Sequence, residues 1–236
     1  MEVELIGQIS NEDKGTIGRR FALAVGPTIA PYILPQFIKH YRELFPAVEL
    51  SIQEMKANFM VESLLRGELD AGIAISDNGC EGILEIPLYT EKFMVYLAES
   101  CWRKLPVFKP ENLEHENMWI MKDAQCLRDS AFSFCKARNK GNHIYEAGSI
   151  TTLVHIVDAN GGFTIIPEMH LPLLTEQQRK NVRPIEGNCL SQRRVSLYVK
   201  EDYIREQVLN TVTDALMEFM PKGMLSERIA KYGIRL

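Results

Sequence analysis

Residues 20–46 read RFALAVGPTIAPYILPQFIKHYRELFP. Arg20 to Val25 is an apolar run of strand length, and Gly26-Pro27-Thr28 breaks it as a loop. The apolar positions that follow, Ile33, Phe37, Ile38, Tyr41 and Phe45, recur close to every 3.6 residues and predict a helix with one buried face. Pro46 stops that helix, because it lacks the N–H that the ladder needs. Val48, Leu50 and Ile52 then alternate with polar neighbours, as a strand does. Met60, Val61, Leu64 and Leu65 mark a short helix ending near Gly67. Ala71 to Ile75 is apolar throughout, as in a strand covered on both faces. Strands alternating with helices at this spacing predict right-handed crossovers and a mostly parallel sheet.

The pattern is then repeated. Two short apolar runs, Gly82 to Leu88 and Lys92 to Leu97, are separated by the charged step Thr90-Glu91-Lys92. Met118 to Met121 is a strand, and Leu127 to Lys136 suits a helix with Gly141 beyond its end. Ser149 is a good N-cap for a helix carrying Leu153, Ile156 and Val157, which Asn160-Gly161-Gly162 ends. Phe163 to Ile166 and Val195 to Val199 are strands. A long helix follows, with Ile204, Val208, Val212, Leu216 and Phe219 on one face. The fold class is therefore α/β, with two Rossmann-like subdomains joined by two hinge crossings, near Glu91 and near Arg194. The expected division is a linker remnant over 1–16, one subdomain over 17–91 plus 196–236, and a second over 92–195. A cleft between two such subdomains is where folds of this kind bind ligands.

Composition narrows the function. The 236 residues are 46% hydrophobic and 25% charged, the proportions of a soluble globular protein. The formal charge of −4, from 27 basic and 31 acidic residues, argues against a chain devoted to gripping nucleic acid. Gly and Pro interrupt every apolar stretch before it could span a membrane. The opening MEVELIGQISNEDKG is acidic where a secretory signal is basic, so the expected location is cytoplasmic, with no membrane partner. Five cysteines (80, 101, 126, 135 and 189) form no C-x-x-C pair, and the histidines (40, 115, 143, 155 and 170) are scattered. Neither metal nor cofactor is expected. No G-x-G-x-x-G, phosphate-binding loop, nucleophile elbow or H-E-x-x-H is present, which leaves an enzyme reading with little support.

One segment, DAQCLRDSAFSFC (residues 123–135), carries chemistry. A helix starting near Leu127 places Cys126 at its N-terminus, where unpaired N–H groups favour a thiolate, and Arg128 adds positive charge. Cys135, between Phe134 and Lys136 and near Phe132, reads as a buried thiol. Nine helical residues rotate by about 900° and rise about 13.5 Å. The two thiols would then lie on opposite faces, beyond the reach of a disulfide of roughly 7 Å between Cα atoms. A bond between them would require the helix to unwind; both could equally be unrelated packing residues.

The same segment resembles the redox segment of the peroxide-sensing, OxyR-type members of the LysR-type transcriptional regulators. The resemblance extends from Gly15 to about Phe219. It includes the Gly26-Pro27-Thr28 loop, Phe45-Pro46-Ala47-Val48-Glu49-Leu50, Leu69-Asp70, Gly148-Ser149 and the Asn160 to Pro167 stretch. It implies a regulatory domain of two periplasmic-binding-protein-like subdomains (type II). By position it makes Cys126 the peroxidatic cysteine and Cys135 the resolving one, in a redox segment over 126–135. Thr28, Arg128, Asp129 and Arg194 would complete a peroxide pocket with Gln125. Two positions depart from the pattern: Gln125 stands where His is common, and Ala57 where a second threonine is expected.

The resemblance further implies hydrogen peroxide as the signal and a homodimer or homotetramer as the assembly. A thiol reductant such as glutaredoxin or thioredoxin would reset the switch. An N-terminal winged helix-turn-helix of about 60 residues belongs to such regulators and is not found in this sequence. Promoter DNA and RNA polymerase are therefore expected as partners only of the full-length protein. The rival readings are a LysR-type effector domain binding a small metabolite with inert cysteines, and a thiol peroxidase. The second lacks the P-x-x-x-[ST]-x-x-C setting of a peroxiredoxin-like site.

Overall fold

The computed structural model describes residues 20–76, 79–98, 106–108, 118–121, 144–145, 149–185, 192–221 and 223–235. Cys126, Cys135, Gln125, Arg128, Asp129 and the expected helix over 127–136 lie outside them, as does the segment 1–16. The described chain forms two compact units. One runs up to Gly26, from Ile33 to Tyr89 and from Ser196 onward; the other comprises Pro27–Tyr32 and Thr90–Val195. The loop Pro27–Tyr32 thus counts with the second unit, although it is inserted between elements of the first.

In the first unit, β1 (Arg20–Val25) is central, parallel to β2 (Glu49–Glu54) on one side and to β3 (Ala71–Ile75) on the other. The order β2-β1-β3 continues to β9 (Gln192–Lys200). Alternation along β1 sends its side chains to opposite faces. Phe21 stacks on Tyr41 of α1 (Ala30–Leu44), with 6.3 Å between ring centroids. Ala22 and Ala24 instead pack with Met60 and Leu64 of α2 (Ala57–Leu65). Gly72 permits this approach of α2 to β3, since a Cβ there would stand 2.3 Å from the Met60 sulfur. Gly67, at φ 73°, turns the chain after α2 as the sequence predicts.

The two apolar runs around Glu91 are one strand, β4 (Ile83–Leu97). A charged Thr-Glu-Lys step suggests a break, but Glu91 points inward and is neutralised, so the ladder continues. Among the described residues, the parallel pairing expected is found around β1, and the second unit is mixed. In the second, β4 pairs antiparallel with β7 (Phe163–Pro167) and with β8 (Val182–Pro184). The two-residue strands β5 (Ile120–Met121) and β6 (Ile144–Tyr145) form a parallel pair. Between β6 and β7 in the chain lies α3 (Ile150–Asn160), started by the Ser149 hydroxyl, which accepts from Thr152 N at 3.3 Å. Its buried Leu153, Val154 and Val157 pack with Phe93, Val95, Phe108, Phe163 and Ile165.

A 3₁₀ turn (Glu168–Leu173) and the short α4 (Glu176–Arg179) follow β7. The chain closes with α5 (Glu206–Met217) and α6 (Glu227–Tyr232). Ile204, expected on the buried face of α5, is 90% exposed because the helix starts two residues later. The buried stripe is Val208, Leu209, Val212, Ala215 and Leu216.

Candidate functional site

Two strands bring opposite charges into the interior of the second unit. In β4, Glu91 is in phase with the apolar Phe93, Val95 and Leu97, and its side chain is fully buried. In β9, Arg193 is in phase with Val195, and only 2% of its side chain is accessible. Arg193 Nε donates to Glu91 Oε1 at 2.8 Å. The Tyr32 hydroxyl donates to the same oxygen at 2.9 Å, and the Met169 N–H to Glu91 Oε2 at 3.3 Å. The guanidinium also reaches Tyr32 Oη and lies 5.8 Å from the Phe93 ring centroid. Taking two ions out of water costs several kcal/mol each, which only such dense bonding can offset.

The rest of the guanidinium holds the loop that follows β1. Arg193 Nη1 donates to Thr28 Oγ1 at 3.2 Å, and Nη2 to the Thr28 carbonyl at 3.1 Å. Thr28 is half-buried. A hydroxyl has one hydrogen and two lone pairs. With its oxygen accepting from a cation, the Thr28 hydroxyl keeps its own hydrogen to donate, and it is polarised to do so.

The resemblance assigns Arg194 to the peroxide pocket; in the structure Arg193 lies against Thr28 and Arg194 is exposed. Successive residues of a strand face opposite ways, so a one-residue offset decides which arginine turns inward. Ala57 opens α2 in the first unit. Cys80 is exposed, between Gly79 and Gly82. Cys101 and Cys189 lie outside the described residues. Among the described residues, no cluster of three or more His, Cys, Asp or Glu could hold a metal.

Sequence reasoning passed over His170 as one of several scattered histidines. It sits in the 3₁₀ turn, 1% exposed, and neither ring nitrogen has a hydrogen-bond partner among the described residues. Burial, reinforced by the charge of Arg193, pushes its pKa down from 6.5 to about 4. The unfolded chain therefore binds the proton first as pH falls. Stability is unaffected above about pH 6.5 and declines toward pH 4, by on the order of 2–3 kcal/mol from this group. Urea midpoints measured at neutral pH and near pH 4.5 should differ by less in His170→Phe than in the unaltered protein. An equal pH sensitivity of the two would remove His170 as a cause.

Residues 14–221 match the model of the LysR substrate binding domain. The chain belongs to this family. It is 32% identical over 189 residues to a hydrogen peroxide-inducible genes activator of Haemophilus influenzae, covering 78% of this chain and 61% of that protein. Identity is 27% over 184 residues to the DNA-binding transcriptional dual regulator OxyR of Escherichia coli K12, covering 77% and 59%. The chain thus spans only about three fifths of these relatives. Among solved structures, OxyR from Porphyromonas gingivalis superposes with a TM-score of 0.80 at 28% identity, covering 88% of this chain and 95% of that one. A reduced form of OxyR from N. meningitidis gives 0.71 at 29% identity, covering 88% and 98%. As a LysR substrate binding domain resembling OxyR structures, the chain has the two-subdomain, periplasmic-binding-protein-like fold of type II. No helix among the described residues is long and apolar enough to cross a membrane.

Proposed function

We propose that this chain is the redox-sensing regulatory domain of a hydrogen-peroxide-responsive LysR-type transcriptional activator. The observation that carries the reading is the coincidence of two features. Cys126-Leu127-Arg128-Asp129, with Cys135 nine residues on, occurs in a LysR substrate binding domain similar to peroxide-inducible activators. Thr28, a hydroxyl donor held by Arg193, supplies the polar group that a peroxide beside a thiolate needs. In the proposed chemistry the Cys126 thiolate attacks one peroxide oxygen, giving Cys–SOH and hydroxide. The Cys135 thiol then displaces the sulfenic oxygen, which leaves as water as the disulfide forms. The remodelled segment repacks the assembly and resets the DNA-binding domains of the whole regulator. Promoter DNA and polymerase are partners of that larger protein, a dithiol reductant restores the thiols, and the location is cytoplasmic. The role is stoichiometric sensing and not turnover.

Thiol mapping by mass spectrometry, before and after one equivalent of peroxide, tests the reading. Cys126 should be the first thiol labelled at limiting alkylating agent, ahead of the exposed Cys80. After peroxide, Cys126 and Cys135 should be joined. Unreacted thiols would favour the metabolite-binding alternative, and continued peroxide consumption with added reductant would favour a peroxidase.

A homodimer or larger assembly is also proposed. The strand β2 ends the order of its sheet, and Ile38 and Arg42 of α1 with Val48, Leu50 and Ile52 line a groove beside it. A two-fold partner, through α1 with α2 or with its own copy, would cover this face. Sedimentation at micromolar concentration should give at least a dimer; a monomer in both redox states would refute it.

A further inference from the structure

The C-terminal helix presents a built basic face. Arg228, Lys231 and Tyr232 share one helical stripe, Arg235 follows the helix just beyond the turn at Gly233, and all four are exposed. Lys231 Nζ lies 5.2 Å and Arg235 Cζ 6.0 Å from the centroid of the Tyr232 ring. Two cations are thus gathered at one aromatic ring that is itself 54% exposed. No ion pair neutralises any of the three basic groups among the described residues, even though Glu227 stands one turn before Lys231.

This face is not a loose tail. Ile229 and Ile234, 3% and 2% exposed, anchor the opposite side. Asn210 of α5 grips Ile234 at both backbone groups, its Oδ1 accepting from Ile234 N at 2.7 Å and its Nδ2 donating to Ile234 O at 3.2 Å. Gly233, at φ 65°, makes the turn that this grip requires, and a Cβ there would stand 2.6 Å from Asn210 Oδ1. Ser226 N donates to Leu88 O at 2.8 Å, fixing the start of the helix.

We propose that Arg228, Lys231 and Arg235, with Tyr232, form a sequence-independent contact for the phosphate backbone of duplex DNA. Like charges held together without counter-charges favour a ligand of repeated negative charge. Tyrosine hydroxyls, like arginine and lysine, bond to the sugar-phosphate backbone of duplex DNA, so all four side chains suit that ligand. The chain as a whole is acidic, so such attraction must come from a local face. The inference rests on the regulator reading, which supplies DNA as a neighbour, but it concerns a surface remote in sequence from the cysteines. It is tested separately from them.

The experiment titrates this chain into a fluorescein-labelled duplex of mixed sequence and follows anisotropy from about 50 to 200 mM salt. Weak binding at the lowest salt is expected, steeply lost as salt rises. The triple variant R228Q/K231Q/R235Q should flatten the slope of log K against log salt by roughly 0.9 for each phosphate no longer neutralised, about 2.7 at most. A control with the same charge change spread over exposed sites, K39Q/K92Q/K180Q, should move it far less. Equal effects of the two variants would reduce the matter to net charge and overturn the proposal. So would absence of binding at low salt, or displacement by poly-glutamate as effective as by unlabelled duplex, which would assign the face to an acidic protein. Thiol mapping is unaffected by any of these outcomes, so the sensor reading can fail or stand independently.

Discussion

Peroxide added to Cys126→Ser should leave every remaining cysteine of the regulatory chain as it was, with no added oxygen and no loss of two hydrogens. Cys135→Ser should instead stop at one added oxygen on Cys126, trapped by a sulfenic-acid reagent, with no change in backbone protection. The asymmetry follows from the proposed roles: one thiol accepts the oxygen, the other only resolves it. In the unaltered protein, hydrogen exchange over residues 126–140 should differ strongly between reduced and disulfide-bonded forms. In the proposed mechanism residues 127–136 are helical in the reduced form, and that helix has to open before the two sulfurs can meet. With Cys135 and a neighbouring aromatic side chain packed in that proposed form, expelling one large side chain would cost on the order of 1.5–3 kcal/mol. The oxidised form is therefore expected to be the more strained of the two, with a disulfide that is easily reduced. Identical exchange patterns in the two forms would end the switch mechanism, whatever the mass spectra show.

Arg193→Met should be the most destabilising single change in the second unit. It leaves the Glu91 carboxylate buried, with Tyr32 and Met169 N–H as its remaining donors. Removing one partner of a buried pair costs about 3–5 kcal/mol. Glu91→Gln/Arg193→Met should be less damaged than Arg193→Met alone, since the orphaned charge is gone. Chemical denaturation of the unaltered protein, Glu91→Gln, Arg193→Met and the double variant measures the coupling. Additive losses would mean that the pair is not coupled. Thr28 offers a second readout. Its hydroxyl loses the guanidinium that orients it, so oxidation of Cys126 in Glu91→Gln/Arg193→Met should slow even where the fold survives.

How much of this was legible in the residues differs between the two units. Periodicity and Pro46, Gly67 and Ser149 place β1, α1, α2, β3 and α3 because each depends on its own side chains. The antiparallel pairing in the second unit depends on which strands meet, and a local pattern of apolar residues does not carry that information. The buried polar cluster shows the same division. Thr28 is singled out only by the family resemblance, whereas choosing between Arg193 and Arg194 requires the phase of β9. The signal was present in the apolar stripe that continues from Arg193 through Val195. Glu91 likewise shares its phase with Phe93 and Val95, and a charge in step with a core stripe announces a buried partner. His170 gave no such sign, because its burial is set by a 3₁₀ turn whose shape the sequence does not declare.

The polar centre joins residues very far apart along the chain. Arg193 and Thr28 are separated by 165 positions, and Arg193 and Glu91 by 102. Contacts of such separation form late, because the chain between them must first be ordered. During synthesis, Thr28, Tyr32 and Glu91 emerge well before the arginine that binds them together. A nascent chain therefore carries a carboxylate with no cation, and its second unit cannot close on ribosome-bound fragments that stop short of β9. Competence to hold Thr28 in place is acquired in one late event of biogenesis, so a chain that stops short of β9 never has it.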